Sequence, residues 1–506
     1  MGIKSIGAGL AAKLVHRMNQ SWIQNPISAQ ERLFKQLIAK GAKTRFGRDH
    51  GFSEIRDYSS FKSSVPIRDY EGLRPYVDQI IAGHKDVLWP GRPLYFSKTS
   101  GTTSGVKYIP IVKDAMPCYI NAARDVLLNY VYRTGNSSFF DGKMIFLSGS
   151  PEMEKTAGIL TGRLSGIVNH FIPFWLKGNQ LPTYATNCIE DWEQKVAKIM
   201  QETSSKDMRL ISGIPPWMQM YFDLLIDAYQ KPVGDLFPNL SVISHGGVNF
   251  EPYKEKLFAS IGRNLDTLET FPASEGFFAY QDVPDGMKEK EEDNGLLLLA
   301  NNGVFFEFVP VSEFYNENPS RYSLADIELG VDYVLVLNTN SGLWAYNIGD
   351  TVRFVSKNPH RIIVSGRLKH FISAFGEHVI GKEVDTAISQ TSQELGVKVI
   401  DFTVAPMINP DNGLPFHEWF VEFDGGGTPD IKAFAALLDK KMCIQNIYYK
   451  DLIEGGILKP LQLRPMQKHA FIDYMRSIGK LGGQNKLPRL SNDRNIADAI
   501  VPYMLK

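Results

Sequence analysis

The sequence has little cysteine, no long apolar run and no excess of charge of either sign. Its three cysteines, Cys118, Cys188 and Cys443, are odd in number and far apart, which argues against a disulfide framework and for a reducing compartment. Lys plus Arg and Asp plus Glu number 55 each, so no net field favours nucleic acid or an anionic membrane. We therefore expect a cytoplasmic protein, monomeric, without a nucleic-acid or membrane partner.

The first 18 residues, MGIKSIGAGLAAKLVHRM, are the segment that most needs to be tested for targeting. Lys13 interrupts the apolar residues and no small-residue cleavage site follows, so a signal peptide is not expected. The myristoylation pattern requires Ser or Thr at the position that Ile6 occupies. The segment is predicted to form a short amphipathic helix that packs on the body of the protein.

Three familiar catalytic motifs are also missing from the sequence. It contains no H-E-x-x-H, no C-x-x-C and no G-x-S-x-G, which weakens metalloprotease, zinc-site and α/β-hydrolase interpretations. The histidines form no catalytic set. His245 is expected to be structural, with a place at the border of a substrate pocket as the alternative.

The hydrophobic pattern predicts a large α/β domain followed by a smaller one. Ser28 and Glu31 form a capping box that predicts a helix start. Residues 188–231 are predicted to be helical, with an interruption by GIPPW at 213–217. Strands are predicted at 94–96, 108–112, 143–150 and 240–247, with two more joined as a hairpin at Asn301-Asn302-Gly303. After residue 360 come a strand–turn–strand segment, helices near 381–395 and 430–443, and strands at 398–405 and 417–424. We place the domains at 1–368 and 369–506, with a hinge near 367–370.

The stretch YFSKTSGTTSGVKYIP, residues 95–110, combines a soft loop with strand-like flanks. It is not a Walker A loop, because Tyr108 rather than Ser or Thr follows Lys107. Its composition still suits a phosphate cradle, since glycines let amides converge on an anion, hydroxyls donate hydrogen bonds and Lys107 adds positive charge. The alternative is an ordinary polar hairpin loop.

Three further segments each place one candidate charged residue in or beside a turn. TFPASEGFFAY (270–280) contains Glu275, WAYNIGDTVRF (344–354) places Asp350 at the end of a strand, and VSGRLKHFIS (364–373) contains Arg367. Taken singly, each is as well explained by a solvated side chain in a turn.

Taken together, four motifs in this order resemble those of adenylate-forming enzymes: T-S-G-T-T-S-G-V-K, F-P-A-S-E, Y-N-I-G-D and G-R-L-K-H. The resemblance runs over nearly the full length. FFEFVP, GLWAYNIGDTV, GRLKHFISAFGEHV and the C-terminal KLGGQNKLPRLSNDR (480–494) are similar to the Gretchen Hagen family of acyl-acid amido synthetases, in its bacterial branch.

This resemblance implies a large N-terminal adenylate-forming domain of mixed β-sheets and helices, with a smaller mobile α+β C-terminal domain. It implies an ATP- and Mg²⁺-dependent ligase that forms a carbon–nitrogen bond through an acyl adenylate. The partners would be a small carboxylic acid and an amino acid. Two alternatives stay open: a ligase of the acyl-CoA synthetase type with a thiol acceptor, and a non-catalytic protein that binds a nucleotide or acyl ligand.

The resemblance also implies roles at the phosphate end of the nucleotide. The ATP phosphates would be held by the loop residues and the lysine that follows them: Thr99, Ser100, Gly101, Thr102, Thr103, Gly105 and Lys107. Ser274 and Glu275 would lie by the α-phosphate, with Glu275 as the Mg²⁺ ligand. The catalytic residues would be Lys107, Glu275 and Lys486, which would swing in from the C-terminal domain during adenylation.

At the nucleoside end, the resemblance implies that Asp350 accepts hydrogen bonds from the ribose hydroxyls and that Arg367 contacts the ribose from the hinge. Gly246 and Gly247 would leave space beside the adenine, and Phe271 would stack near it. Two positions depart from the family pattern. Asn347 replaces the arginine of the plant Y-R-V-G-D motif, and Phe271 replaces a tyrosine.

The acyl pocket is the least specified part of the site. It is predicted to be lined from 115–180 and 213–220, a region that contains Tyr119, Phe171, Phe174, Trp175 and Trp217. Ordinary core is the alternative for each of these aromatics. Arg124 is a candidate partner of the acyl carboxylate, with a solvated helical arginine as the alternative.

Overall fold

The computed structural model describes residues 2–100, 106–189, 192–248, 250–368, 371–372, 374–377, 379–424, 430–478 and 487–505. Its α-helices, in chain order, are α1 (Ile3–Gln24), α2 (Pro26–Gly41), α3 (Arg45–Asp49), α4 (Tyr58–Ser64), α5 (Tyr70–Ile81), α6 (Met116–Thr134), α7 (Leu164–Asn169), α8 (Phe174–Lys177), α9 (Tyr184–Asn187), α10 (Trp192–Thr203), α11 (Pro215–Tyr229), α12 (Val233–Leu236), α13 (Glu251–Ile261), α14 (Gly381–Leu395), α15 (Ile431–Gln445), α16 (Ile447–Glu454), α17 (Ala470–Ser477) and α18 (Asn495–Ile500).

The strands are β1 (Tyr95–Ser100), β2 (Val106–Ile111), β3 (Lys143–Phe146), β4 (Glu154–Thr156), β5 (Ile159–Gly162), β6 (Gln180–Leu181), β7 (Met208–Gly213), β8 (Val242–Gly246), β9 (Asp266–Ala273), β10 (Gly276–Tyr280), β11 (Leu296–Leu298), β12 (Val304–Pro310), β13 (Asp332–Thr339), β14 (Tyr346–Lys357), β15 (His360–Arg367), β16 (Phe371–Ile372), β17 (Val379–Ile380), β18 (Val399–Met407), β19 (Phe416–Phe423) and β20 (Gln462–Pro465).

The large domain is built on a mixed sheet in which the described strands run in the order β12-β13-β14-β15-β11-β10-β9-β8-β7-β3-β6. Strands β6, β3, β7, β8 and β9 are mutually parallel, and the remaining neighbours are antiparallel. The carboxyl ends of parallel strands meet at one edge, which is where α/β proteins bind ligands. Gly246 ends β8 there, and the Ser274–Glu275 turn follows β9.

A second, four-stranded sheet, β2-β1-β5-β4, carries the candidate phosphate loop. Beyond β15, the chain forms a smaller domain in which β18, β19 and β20 make a sheet flanked by helices. The predicted α/β fold class, with a larger and a smaller domain, is therefore confirmed. Within the described ranges, no helix is long and apolar enough to cross a membrane.

The described buried hydrophobic residues form three clusters. One lies under the N-terminal helices and the antiparallel strands, another spans the domain junction, and a small third one lies within the small domain around Phe420 and Phe471. The junction cluster joins Ile145, Ile211 and Ile243 of the parallel strands to Val404 and Trp419 of the small domain. Burying apolar surface at both sides of the junction stabilises the observed arrangement of the domains.

One predicted hairpin is wrong. Strands β11 and β12 are joined at Asn301-Asn302-Gly303 but do not pair, and three strands separate them in the sheet. The fully buried β12 pairs along its whole length with β13, from Val304–Thr339 to Pro310–Tyr333. The three-residue β11 instead pairs with β10 and β15. The long ladder between β12 and β13 therefore outweighs the turn composition that favours pairing of β11 with β12.

Two helix predictions also need correction. Helix α2 begins at Pro26, with Asn25 before it, so the predicted capping box at Ser28 and Glu31 lies inside the helix. Proline suits the first helical position because its missing amide hydrogen has no partner there. The segment 188–231, predicted as helical, contains strand β7 between α10 and α11.

Candidate active site

The candidate phosphate loop is held by an antiparallel hairpin, as its flanks predicted. In strands β1 and β2, Thr99 lies opposite Lys107 and Ser100 lies opposite Val106. Both strands extend further towards the loop than the sequence pattern indicated. The loop residues Gly101, Thr102, Thr103 and Gly105 lie outside the described residues, as does the side chain of Ser100. Their phosphate-binding role stays a prediction.

Lys107 is half-buried on β2, beside helix α5. Its Nζ atom lies 5.9 Å from the centroid of the Tyr70 ring. The Tyr108 amide donates a hydrogen bond to the Tyr70 hydroxyl over 2.9 Å. Burial raises the pKa of Tyr70, so the phenol keeps its proton. Helix α5 therefore fixes the strand that carries the lysine.

The Ser274–Glu275 turn is tied to the hairpin and to helix α6. The Ser97 hydroxyl of β1 donates to the Ser274 hydroxyl over 2.8 Å. The Tyr119 hydroxyl of α6 donates to the Ser274 carbonyl over 2.7 Å. The structure thus brings two motifs that are more than 160 residues apart in the chain into direct contact. The Ser97 bond places the hairpin strand that leads to the phosphate loop against the turn that carries Glu275.

Glu275 is a buried carboxylate with phenols beside it. The Tyr346 hydroxyl donates to Glu275 Oε1 over 3.3 Å. Burial, and then the charge of Glu275, raise the pKa values of Tyr119 and Tyr346 well above their ordinary value, so both remain donors at any physiological pH. One phenol from α6 and one from β14 therefore donate hydrogen bonds to the Ser274–Glu275 turn.

Sequence reasoning assigned no such role to these tyrosines. Tyr346 opens the Y-N-I-G-D motif, so its position within a chemistry-bearing segment was a usable signal. Tyr119 was considered only as a lining residue of the acyl pocket. Its contact with the turn spans 155 positions of sequence, and no local pattern predicts such a partner.

A magnesium ion fits this carboxylate only together with a phosphate ligand. Among the described residues, no group of three or more His, Cys, Asp or Glu side chains could hold a metal ion. Mg²⁺ is commonly bound by one or two carboxylates and the substrate phosphates, with water completing the shell. Glu275, next to a predicted phosphate site, satisfies that requirement.

The sequence pattern predicted Asp350 at the end of a strand. In the structure it lies inside β14 instead. It is buried and pairs in register with Arg367, the last residue of β15. The preceding Gly349 has φ +92°, and its amide donates to Asn347 Oδ1 over 2.8 Å. Asn347, the departure from the plant motif, thus supports the local turn of the backbone. The side chain of Arg367 lies outside the described residues, so its ribose contact stays a prediction.

The segment that precedes α5 links Lys107 to the strand that carries Asp350. The Arg68 amide donates to the Ala345 carbonyl over 3.0 Å, and the Asn347 amide donates to the Arg68 carbonyl over 2.8 Å. Tyr70, which contacts the Lys107 strand, follows two residues later. Three of the four motifs are therefore fixed relative to one another by backbone and buried side-chain contacts.

The adenine-side residues have structural roles of their own. A side chain at Gly246 would meet the Thr270 carbonyl oxygen at 2.3 Å, and Gly247 has φ +82°. Both positions therefore require glycine for packing and turning alone. Phe271 stands edge-on to Phe278, with 5.2 Å between ring centroids. Their predicted contacts with adenine stay predictions.

His245 is structural, as expected. It stacks on Phe250 with 3.9 Å between ring centroids. Burial lowers the pKa of His245 to about 3, so the ring is neutral at physiological pH. A neutral imidazole under an aromatic ring is part of the core at the end of β8.

The candidate acyl-pocket residues divide between several environments. Tyr119 contacts the Ser274 turn, and Phe171 packs edge-on against Tyr95 with 5.9 Å between centroids. The side chains of Phe174 and Trp175 lie outside the described residues. Arg124 donates to the adjacent Asp125 over 2.8 Å on an exposed helix face, which supports its solvated alternative.

The small domain contacts the large one beside the phosphate hairpin. The Tyr448 hydroxyl of α16 donates to the Lys98 carbonyl over 3.1 Å, one residue before Thr99. Arg163 forms an ion pair with Asp451 and lies 5.0 Å from the Tyr448 ring centroid. Burial raises the pKa of Asp451. Lys486, the predicted mobile lysine, lies outside the described residues.

Comparison with solved structures shows which fold this architecture has. The chain is similar to AtGH3.15 acyl acid amido synthetase in complex with 2,4-DB, with a TM-score of 0.62, 17% identity and coverage of 98% of this chain and 96% of that one. It is also similar to 2-hydroxyisobutyryl-CoA ligase in complex with 2-HIB-AMP and CoA, with a TM-score of 0.59, 13% identity and coverage of 94% and 91%. The fold is that of adenylate-forming ligases.

The sequence narrows the class to one family. Residues 16–183 match the GH3 family N-terminal domain, residues 297–367 its central domain and residues 382–495 its C-terminal domain. Jasmonoyl–L-amino acid synthetase JAR4 from Nicotiana attenuata is 23% identical over 542 aligned residues, which cover 92% of each chain. The chain belongs to the GH3 family, the Gretchen Hagen family that its motifs resemble.

Proposed function

We propose that the chain is an ATP-dependent acyl-acid amido synthetase that activates a small carboxylic acid as its acyl adenylate and transfers the acyl group to the amine of an amino acid. One observation carries the proposal. The Ser97 hydroxyl of β1 donates to Ser274, so the strand pair that carries Lys107 lies against the turn that carries the buried Glu275. GH3 membership adds the reaction class.

In the first half-reaction, a carboxylate oxygen of the acid attacks the α-phosphorus of ATP, and the bond to the bridging oxygen breaks to release pyrophosphate. Lys107 and the loop hydroxyls would neutralise the charge on the phosphates, which is an electrostatic task. Mg²⁺, held between Glu275 and the phosphates, would supply further charge neutralisation. Asp350 would hold the ribose through charge-assisted hydrogen bonds.

In the second half-reaction, the amine nitrogen attacks the acyl carbonyl carbon, AMP leaves and the nitrogen loses a proton. We propose that the domain boundary lies near residues 367–370 and that Lys486 serves the first step only. A hinge there would let the small domain form different contacts in the two steps. The bacterial branch, the monomeric state and the cytoplasmic location belong to the same proposal.

The acid and the amine are proposed as classes. JAR4 is named for jasmonoyl conjugation, and the AtGH3.15 structure holds 2,4-DB. Both names point to a small acid with a sizeable apolar part. In the sequence, the region predicted to line the acyl pocket is rich in aromatic residues, which suits an apolar acid for this chain as well.

The alternative with a thiol acceptor needs its own arm in the test, because a CoA ligase shares the fold. Acid-dependent pyrophosphate release would be measured across a panel of carboxylic acids, each alone, with pooled amino acids and with CoA. Stimulation by amino acids and formation of an amide are expected. Stimulation by CoA alone would assign a thioester ligase.

If no acid causes pyrophosphate release, the non-catalytic alternative stays open, and ATP binding is the next measurement. Wild type would then be compared with Asp350→Ala by calorimetric titration of ATP. Loss of ATP binding in the variant would indicate a working nucleotide site, and the acid panel would then be widened because it missed the substrate. Equal ATP affinity in both proteins would indicate that the motifs are relics.

A further inference from the structure

Helix α1 presents a continuous apolar stripe to solvent. Five large side chains recur at helical spacing along one face, with exposed fractions of 90% for Ile3, 55% for Ile6, 67% for Leu10, 61% for Leu14 and 63% for Met18. At about 1.5 Å per residue, the stripe is roughly 22 Å long. A soluble surface rarely aligns this many exposed aliphatic side chains without a partner.

The opposite face of α1 is fixed to the body of the protein, so the stripe cannot turn inwards. Ala8, Ala12 and Trp22 are buried against the large core. Asn19 donates to Asp125 of α6 over 2.9 Å, and the Gly2 amide donates to an Asp141 oxygen over 2.7 Å. The helix is therefore held at both ends with its apolar stripe outwards.

The exposed face carries positive charge and no negative charge. Lys4, Lys13 and Arg17 are exposed beside the stripe, and residues 2–24 contain no Asp or Glu. The first acidic residue of the chain is Glu31, on the next helix. An amphipathic helix with cations next to an exposed aliphatic face has the composition of an interfacial membrane helix.

We propose that α1 docks the protein on an anionic lipid bilayer, with Ile3, Leu10, Leu14 and their neighbours inserted among the headgroups. Lys13 and Arg17 would meet the negative lipid charge. A second copy of the chain fits the same face poorly, because two such helices would bring their cations together without an anion to pair with them.

This inference departs from the expectation of no membrane partner. That expectation rested on a net charge of zero for the whole chain and on the absence of a spanning segment. Neither observation bears on a local patch, because charges more than about a Debye length away, roughly 8–10 Å, are screened. Residues 2–24 contain no acidic side chain, and the two carboxylates that α1 contacts, Asp125 and Asp141, bond to its packed face and to its N-terminus.

The test is co-sedimentation of the full-length protein with vesicles of phosphatidylcholine alone and with vesicles that contain about 30% phosphatidylserine. Binding is expected to the anionic vesicles, about tenfold weaker without phosphatidylserine, and strongly reduced when salt rises from about 0.1 M to about 0.5 M. The double variant Leu10→Ser/Leu14→Ser should lose binding about tenfold. The double variant Lys13→Gln/Arg17→Gln, which keeps the apolar stripe, should lose it by a similar factor.

The matched control is Leu329→Ser/Ile444→Ser, which removes two exposed aliphatic side chains elsewhere and should bind vesicles like wild type. All variants would be checked for an unchanged melting temperature. Equal binding by wild type and both α1 variants would overturn the proposal, as would no binding to anionic vesicles. It would also be overturned if light scattering without lipid showed a dimer that Leu10→Ser/Leu14→Ser dissociates, or if wild type bound polyglutamate but no vesicle.

Discussion

The turn that carries Glu275 and the contact made by helix α16 both border the phosphate hairpin, yet they are built differently. The turn is held by Ser97, Tyr119 and Tyr346, which come from three different elements and are buried. The α16 contact rests on one hydrogen bond from Tyr448 and an ion pair whose side chains are 37% and 38% exposed. The first is preorganised, whereas the ion pair of the second contributes little, because exposed ion pairs are worth about 0–1 kcal/mol. The apolar cluster at the domain junction is a separate contribution to the observed arrangement.

This contrast matches the two half-reactions that we propose. Charge on the phosphates must be met by groups already in position, since reorganising them would raise the barrier. The small domain must instead form different contacts in successive steps. Substitutions of the site residues in the large domain should therefore lower activity much more than substitutions in the α16 contact. The following variants test that order.

Lys107→Ala should have the largest effect. Removing the cation from the hairpin should lower acid-dependent pyrophosphate release by about 100- to 1000-fold, the usual cost of one electrostatic stabiliser. The measurement is single-turnover adenylation at saturating ATP. Lys113→Ala, an exposed lysine just beyond the same strand, is the control and should stay near wild type. Equal adenylation rates for the two variants would show that Lys107 does not act in the site.

Asp350→Asn should weaken ATP binding more than it slows chemistry. Loss of charge-assisted hydrogen bonds to the ribose costs about 1.5–3 kcal/mol, so the KM for ATP should rise roughly ten- to hundredfold. The control is Asp332→Asn on neighbouring β13, whose carboxylate pairs with Arg353 at a partly exposed site. A KM unchanged in Asp350→Asn, with kcat reduced, would contradict a ribose-binding role.

Tyr346→Phe should have an intermediate effect. The variant keeps the buried ring but removes the donor to Glu275, so activity should fall about five- to tenfold. The Mg²⁺ concentration for half-maximal rate should rise, because the carboxylate is less well oriented. Tyr333→Phe, which removes a phenol from the adjacent strand, should leave the Mg²⁺ dependence unchanged. A loss of stability with normal Mg²⁺ dependence would assign Tyr346 a structural role alone.

The sequence predicted those parts of the site whose chemistry is local. A hydroxyl-rich loop between strands and a Ser-Glu turn after β9 are short segments whose composition restricts their conformation. The family and the fold class, predicted from the motif order, are confirmed, whereas the site assignments stay predictions.

The non-local partners were beyond reach from sequence. Nothing near Ser274 indicates that Ser97 and Tyr119 hydrogen-bond to it, because the sheet order and the packing of α6 decide that contact. Strands β11 and β12, which pair with other strands and not with each other, show the same limit. Turn composition identified the reversal at Gly303, but pairing depended on the competing ladder with β13.

Tyr448→Phe should have the smallest effect, and it is the sharpest test of the contrast. The variant removes the hydrogen bond to the Lys98 carbonyl while the ring stays beside Arg163. A single neutral hydrogen bond at a partly exposed contact contributes about 0.5–1 kcal/mol, so amide formation should change by about two- to fivefold. Tyr474→Phe, on another helix of the small domain, is the control. If Tyr448→Phe lowered amide formation more than Tyr346→Phe, the α16 contact would be as preorganised as the Glu275 turn. The small domain would then act in the arrangement seen here and would not exchange its contacts.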